Sequence, residues 1–219
     1  MIVSRAPAAE FLGALLLTAA VVGSGIMAER LANGNAAVAL LANTGATVAV
    51  LAALIAAFGP ISGGHFNPVI TLVAFHQRQF TLPRTLVFIG AQVAGCCVGA
   101  MLANLMFELP AVQASMHGRA GGAQWLSEVI ATAGLVFIAF SSPSISSAAW
   151  RVPAWIGAAY WFTASTSFAN PAITIGRSLT DTFAGIRPAD APGFIAAQVA
   201  GGFVGVMLLR FFAERRVTT

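Results

Sequence analysis

Two short segments decide the fold: GHFNPVITL, Gly64 to Leu72, and FANPAITI, Phe168 to Ile175, with their Asn-Pro pairs 103 residues apart. Asparagine is a strong N-cap, and proline is favoured at the first helical position, where its missing N–H costs nothing. Asn67-Pro68 and Asn170-Pro171 therefore each predict the start of a short helix, about 68–77 and 171–181. Neither helix is long enough to cross a bilayer, which takes roughly 17 to 25 mostly apolar residues. The glycines of ISGGHFNP give the entering chain the permissive backbone that a re-entrant segment needs. Irregular backbone at membrane depth survives only against protein or beside water, so two such segments imply an aqueous pathway.

Outward from these segments, the chain repeats itself. AQVAGCCVGAML (Ala91 to Leu102) matches AQVAGGFVGVML (Ala197 to Leu208) at nine of twelve positions, offset by 106. An acid near the start of a span, Glu10 in AEFLGALLLTA and Glu128 in SEVIATAGLVF, makes a third pair. The order Glu, Asn-Pro, Gln thus recurs in each half, predicting one transmembrane domain over 1–219, built of a first repeat (1–110) and a second (111–219). Six stretches are apolar enough to span: about 11–28, 36–58, 86–107, 129–149, 154–168 and 193–209. Three spans per half is an odd number, so the second copy is inserted upside down, with the substrate path at the repeat interface.

The composition agrees. The chain of 219 residues is 58% hydrophobic and 8% charged, far from the roughly 25% charged of soluble domains. Its cations are eleven arginines and no lysine, confined to short connections; this is membrane topology and not a nucleic-acid patch. Arg5, Arg78, Arg84, Arg151, Arg210, Arg215 and Arg216 fall on one face, Arg30, Arg119, Arg177 and Arg187 on the other, which predicts cytoplasmic termini. Three histidines without a metal-binding spacing, and adjacent Cys96 and Cys97 inside an apolar run, imply no cofactor, metal site or disulfide framework. A membrane enzyme would need convergent acid–base groups that are missing, and an ion-coupled secondary transporter would need titratable groups at mid-membrane, for which Glu10 and Glu128 are the candidates. Trp125, Trp150, Trp155 and Trp161 read as interfacial anchors; Gly90, Gly95, Gly99, Gly201, Gly202 and Gly205 read as close helix crossings.

Two half-helix N-termini meeting near the midplane would each direct about half a positive charge at the pathway, repelling cations. The Asn67 and Asn170 amides would donate to a passing hydroxyl, and the carbonyls of Gly64, His65 and Phe66 and of Ser167, Phe168 and Ala169 would accept in single file. One polar strip on an apolar wall suits small neutral solutes.

With these features the chain resembles the major intrinsic protein family, the aquaporins and aquaglyceroporins, over almost its whole length. The match rests on GHFNPVITL, FANPAITI, the two AQVAG segments, Glu10 and Glu128. The resemblance implies an all-α, right-handed bundle of six transmembrane helices plus two re-entrant half-helices, assembled as a homotetramer with one pore per protomer. It also implies that Glu10 and Glu128 hold the re-entrant loops through backbone amides.

Two departures from the family pattern matter. The first box reads Asn67-Pro68-Val69, where alanine usually stands third as it does in Asn170-Pro171-Ala172. The arginine that usually follows the second box is Ile173 here, and an ungapped count places Thr47, Ala158 and Ser167 at the other positions of the outer constriction. Such an opening is wider and less polar than one pinched by arginine and an aromatic ring. Arg177, four residues after Ile173 on the same helix face, is a vestibule candidate, with a surface ion pair to Asp181 as the competing expectation. Ile173 together with the following DTFAGIRP resembles the aquaglyceroporins found with bacterial arsenic-resistance genes. That likeness implies efflux of arsenous acid, with methylated arsenicals, glycerol and water as further permeants, across the bacterial cytoplasmic membrane. A general glycerol facilitator or a water channel is the alternative.

Overall fold

The computed structural model describes residues 5–213, and every regular element among them is helical. The order is α1 (Arg5–Leu31), α2 (Ala36–Ser62), α3 (Pro68–His76), α4 (Leu82–Met106), α5 (Gly122–Ser141), α6 (Ile145–Phe162), α7 (Pro171–Arg177) and α8 (Ala191–Ala213). Arg215 and Arg216, used above for the charge asymmetry, lie outside the described residues.

Local chemistry sets most of the boundaries. Asn35 caps α2 by accepting from the amides of Ala37 and Val38, and Gly63 ends it at a φ of 100°, a left-handed value that glycine tolerates. The expected span over 129–149 is divided: α5 stops at Ser141 and α6 restarts after Pro143, with Ser144 accepting from the amide of Ser147. A proline restrains the residue before it from helix, and the serine beyond it caps the next one. The expected span over 154–168 also ends early, at Phe162, because residues 163–170 form the second re-entrant descent. Five described helices are long and apolar enough to cross a membrane; α6, with two serines, Arg151 and Pro153, falls short of that hydropathy although it packs within the bundle.

Helix α1 lies along α4 and α2, α5 along α8 and α6, and α2 along α6. The half-helices cross over, α3 packing on α4 and α8, and α7 doing the same. Repeat-related glycines allow the tightest crossings. Gly95 and Gly99 bring α4 onto the Phe11 and Leu15 carbonyls, while Cβ atoms at Gly201 and Gly205 would stand 2.5 Å and 2.8 Å from the Val129 and Ala133 carbonyl oxygens. Gly90 faces open space and takes no part in a crossing.

The polarity is that of a membrane protein. Leu41, Phe203 and Met207 are 62%, 67% and 69% exposed, whereas Glu10, Gln92, Glu128 and Gln198 are fully buried. Apolar side chains thus turn outward toward lipid, and these two glutamates and two glutamines turn inward, where each side chain finds a hydrogen-bond partner.

Candidate solute pathway

The two Asn-Pro segments meet at the centre of the bundle. Asn67 Oδ1 accepts from the amide of Val69 at 2.9 Å; Asn170 Oδ1 accepts from those of Ala172 and Ile173 at 3.0 and 3.3 Å. Each side-chain amide also reaches across to the other half: Asn67 Nδ2 donates to the Ala169 carbonyl and Asn170 Nδ2 to the Phe66 carbonyl, both at 2.8 Å. An asparagine amide has two N–H donors, so one per residue remains for the cavity that both side chains line. The accepting residues have matching left-handed backbones, with φ of 47° at Phe66 and 48° at Ala169. That conformation is costly for a side-chain-bearing residue and must be held by its surroundings.

Two buried glutamates do the holding. Glu10 accepts from the amides of His65 (3.0 Å) and Phe66 (2.7 Å), and from the Ser62 hydroxyl at 2.5 Å. Glu128 accepts from the amides of Phe168 (2.9 Å) and Ala169 (2.8 Å). Behind them, Gln92 Nε2 donates to Glu10 (2.7 Å) and to Thr71 Oγ1 (2.9 Å), and Gln198 Nε2 donates to Glu128 (2.6 Å) and to Thr174 Oγ1 (2.9 Å). The glutamine of each AQVAG segment is thereby tied to the half-helix of its own repeat.

A cavity of about 400 Å³ runs beside this junction. Its lining on α6 extends from Ile145 to Tyr160, a rise of about 22 Å at 1.5 Å per residue. Leu51, Ile55, Leu135, Val152 and Ile156 form an apolar wall; residues 63–67 and 167–170 form the opposing polar strip. The strip includes Gly64, His65, Phe66, Ser167, Phe168 and Ala169. Pro68, Val69, Pro171 and Ala172 are buried in helix packing and do not line it.

At the end away from the termini, Thr47, Ser167 and Ile173 all line the cavity. Ala158 does not: it is exposed on the other side of α6, and Tyr160 occupies the lining, its hydroxyl 3.3 Å from Thr47 Oγ1. Helix periodicity explains the correction, since Val152, Ile156 and Tyr160 recur every four residues while a position two residues away is turned by about 200°. The ungapped count from Asn170 fixed a distance along the chain but not the face of α6.

Arg177 also departs from the surface ion pair considered above. It is 3% exposed and lines the cavity; its Nε donates to the Ala184 carbonyl, and its guanidinium carbon sits 3.4 Å from the Phe168 ring centroid. Asp181 is engaged elsewhere, accepting from the amide of Met116 at 2.8 Å. Helix α7 stops at Arg177, short of the expected 181: the Arg177 carbonyl, which a helix reaching 181 would give to the amide of Asp181, accepts instead from the Ile186 amide. The carbonyls beyond it are held by loop contacts, Ser178 accepting from the Ser115 amide and Leu179 from the Gln113 amide and Asn104 Nδ2. Arg119 secures the roof above by donating to the carbonyls of Gly185 (2.8 Å) and Phe183 (3.3 Å). Asp190 accepts from the Arg119 amide and from Arg187, both at 2.8 Å, and the Arg187 guanidinium holds its carboxyl below the usual aspartate range.

Trp155 is not an interfacial anchor. Its ring occupies the space left by Gly134, and its indole N–H donates to the Ala131 carbonyl at 2.9 Å. Cys96 is buried in the helix interface and Cys97 is half-buried.

Six long helices, two capped half-helices meeting from opposite sides and a cavity past their junction constitute the aquaporin fold. A family model described as Major intrinsic protein matches residues 1–162. Aquaglyceroporin AqpS of Rhizobium meliloti (strain 1021) is 48% identical over 213 residues, covering 96% of this chain and 91% of its own. The lens fiber major intrinsic protein of Gallus gallus is 41% identical over 96 residues, 44% of this chain and 35% of that one. The X-ray structure of the aquaglyceroporin from Plasmodium falciparum superposes with a TM-score of 0.71 at 20% identity, over 95% of this chain and 94% of that one. The chain belongs to the major intrinsic protein family. It is a multi-pass membrane channel for small solutes, a passive conduit and not an enzyme.

Proposed function

We propose that the channel conducts arsenous acid down its gradient and out of the cell, with methylated arsenicals, glycerol, small polyols and water as further permeants. The observation that carries this reading is Ile173, which lines the cavity beside Thr47, Tyr160 and Ser167. A branched aliphatic side chain there leaves room for a solute bearing three hydroxyl groups, and the neighbouring hydroxyls can exchange hydrogen bonds with it. Arsenous acid is a weak acid, mostly uncharged at neutral pH and shaped like a small polyol, so a neutral strip on an apolar wall suits it. The 48% identity to a protein named an aquaglyceroporin supports a solute conduit over a water-only pore. The same reading assigns a homotetramer, as is usual in the family, in the bacterial cytoplasmic membrane, with cytoplasmic termini, which the arginine distribution supports, and inverted repeats over 1–110 and 111–219, which the paired Glu–Gln–Thr networks support.

Expression in a bacterial host lacking arsenite export provides the test. A downhill channel raises cellular arsenic when arsenite is supplied outside, and lowers it when arsenate is supplied and reduced inside. An uncoupler changes neither direction. Export against a gradient that collapses with the uncoupler would favour a coupled transporter and overturn the proposal.

A further inference from the structure

We infer that Arg177 supplies the fixed positive charge of this pathway, acting with the Ser167 hydroxyl as a subsite that holds a polyhydroxylated neutral solute at the outer mouth and turns cations back. The inference rests on the reading of the cavity as a solute pathway.

Arg177 is buried, yet no carboxylate pairs with it: the one ion pair among the described residues joins Arg187 to Asp190. Burying a guanidinium without a counter-ion is costly, and such a charge in a membrane protein normally faces a watery cavity or a ligand. Its protein contacts are few. Nε donates to the Ala184 carbonyl and the guanidinium plane rests on Phe168, while among the described residues the two terminal nitrogens have no protein acceptor. Arg177 lines the cavity, so a solute there meets donors that no acceptor among the described residues has claimed.

Ser167 gives the second, independent observation. It is 2% exposed and lines the same cavity, and its Oγ has no hydrogen-bond partner within the protein. A buried hydroxyl left unpaired costs stability unless water or a ligand completes it. Donors on Arg177 and a donor–acceptor hydroxyl on Ser167 would complement the hydroxyl groups of one solute, and Ile173 adds an apolar surface to the same lining. A second guanidinium, that of Arg119, lies 5.1 Å from the same Phe168 ring and adds positive potential from outside the lining. Thus the residue after the second Asn-Pro box can be aliphatic because the cation stands one helical turn further along α7, recessed against an aromatic ring where it leaves the bore wide.

The test uses full-length protein in proteoliposomes carrying an internal pH-sensitive dye, with water and glycerol flux measured on the same vesicles. Arg177→Gln is expected to raise potential-driven proton entry roughly tenfold, as removal of one fixed charge from a confined path should, and to lower the glycerol-to-water ratio. Arg177→Lys should keep the proton barrier and still lower that ratio, because an ammonium lacks the guanidinium fork. An assembled Arg177→Gln channel with wild-type proton entry and ratio would reduce Arg177 to a clamp on the Ala184 loop and overturn the inference. Should that variant fail to assemble, Ser167→Ala decides: it removes no protein hydrogen bond, and an unchanged glycerol-to-water ratio would equally overturn the subsite. Wild-type vesicles that pass no glycerol would instead defeat the pathway reading itself.

Discussion

Val69 Cγ1 stands 2.7 Å from where a Cβ on Gly202 would begin, so the third residue of the first Asn-Pro box fills a space opened by a glycine on α8. The repeat-related positions in the other half are Ala172 and Cys96, a small box residue with a larger helix residue. The repeat thus allots volume in opposite ways at the two positions, and the space beside Gly202 is what admits valine where the family usually has alanine.

The first prediction concerns this exchange. Val69→Ala removes two buried methyl groups and should cost about 1–3 kcal/mol, while Gly202→Cys overpacks the site by a similar amount. The double variant, mirroring Ala172 with Cys96, should recover most of the loss. Thermal unfolding of the four proteins in detergent checks the cycle; additive losses would show that the two positions do not share one space.

Glu10→Ala orphans the amides of His65 and Phe66 and a Gln92 donor; Glu128→Ala orphans those of Phe168 and Ala169 and a Gln198 donor. Each buried donor left without a partner costs about 1–3 kcal/mol, and the left-handed backbones of Phe66 and Ala169 lose their restraint. Both variants should show lower yield, lower melting temperature and reduced flux per assembled channel. Normal yield and flux in both would remove the glutamates from loop support.

On α6, Tyr160 and not Ala158 borders the cavity. Tyr160→Ala should widen the mouth and raise the permeability to polyols larger than glycerol, and Ala158→Phe should leave solute selectivity at the wild-type value. Swelling assays over a polyol series distinguish the two positions. A selectivity change confined to Ala158→Phe would restore the ungapped alignment.

Much of this was legible in the chain because the determinants are local or repeated. Asn67-Pro68 and Asn170-Pro171 carry their own capping chemistry, and the recurrence of AQVAG announces two related halves before any contact is known. The capped starts at Pro68 and Pro171 stand where the sequence places them. The failures share another cause. The burial of Arg177 depends on Phe168 and the Ala184 loop, and the end of α7 on Ile186, Ser115, Gln113 and Asn104; these partners lie outside the helical turn around Arg177, and most are bonded through backbone atoms. The rotation of α6 that brings in Tyr160 could have been found in the Val152, Ile156, Tyr160 spacing, where the helical period carries the information that counting from Asn170 discards.

Asp190 gives a pH prediction for the loop that precedes α8. Its carboxyl is held below the ordinary value, chiefly by the hydrogen bond from Arg187, so its contribution is whole at neutral pH and is lost as pH falls through the depressed value. Protease susceptibility of the loop carrying Arg187 should therefore stay constant from neutral pH down to the ordinary aspartate range and rise only below it, using a protease active in acid. Asp190→Asn should be susceptible at neutral pH already. Equal susceptibility of wild type and variant at neutral pH would contradict the anchoring role.

The most direct test of a wide neutral-solute pathway is stopped-flow light scattering on proteoliposomes, comparing water, glycerol and arsenous acid in wild type, Ile173→Arg and protein-free vesicles. The account predicts rapid entry of all three in wild type, with Ile173→Arg reducing arsenous acid and glycerol far more than water. Fast water with no entry of either solute in wild type, or solute flux untouched by Ile173→Arg, would contradict it.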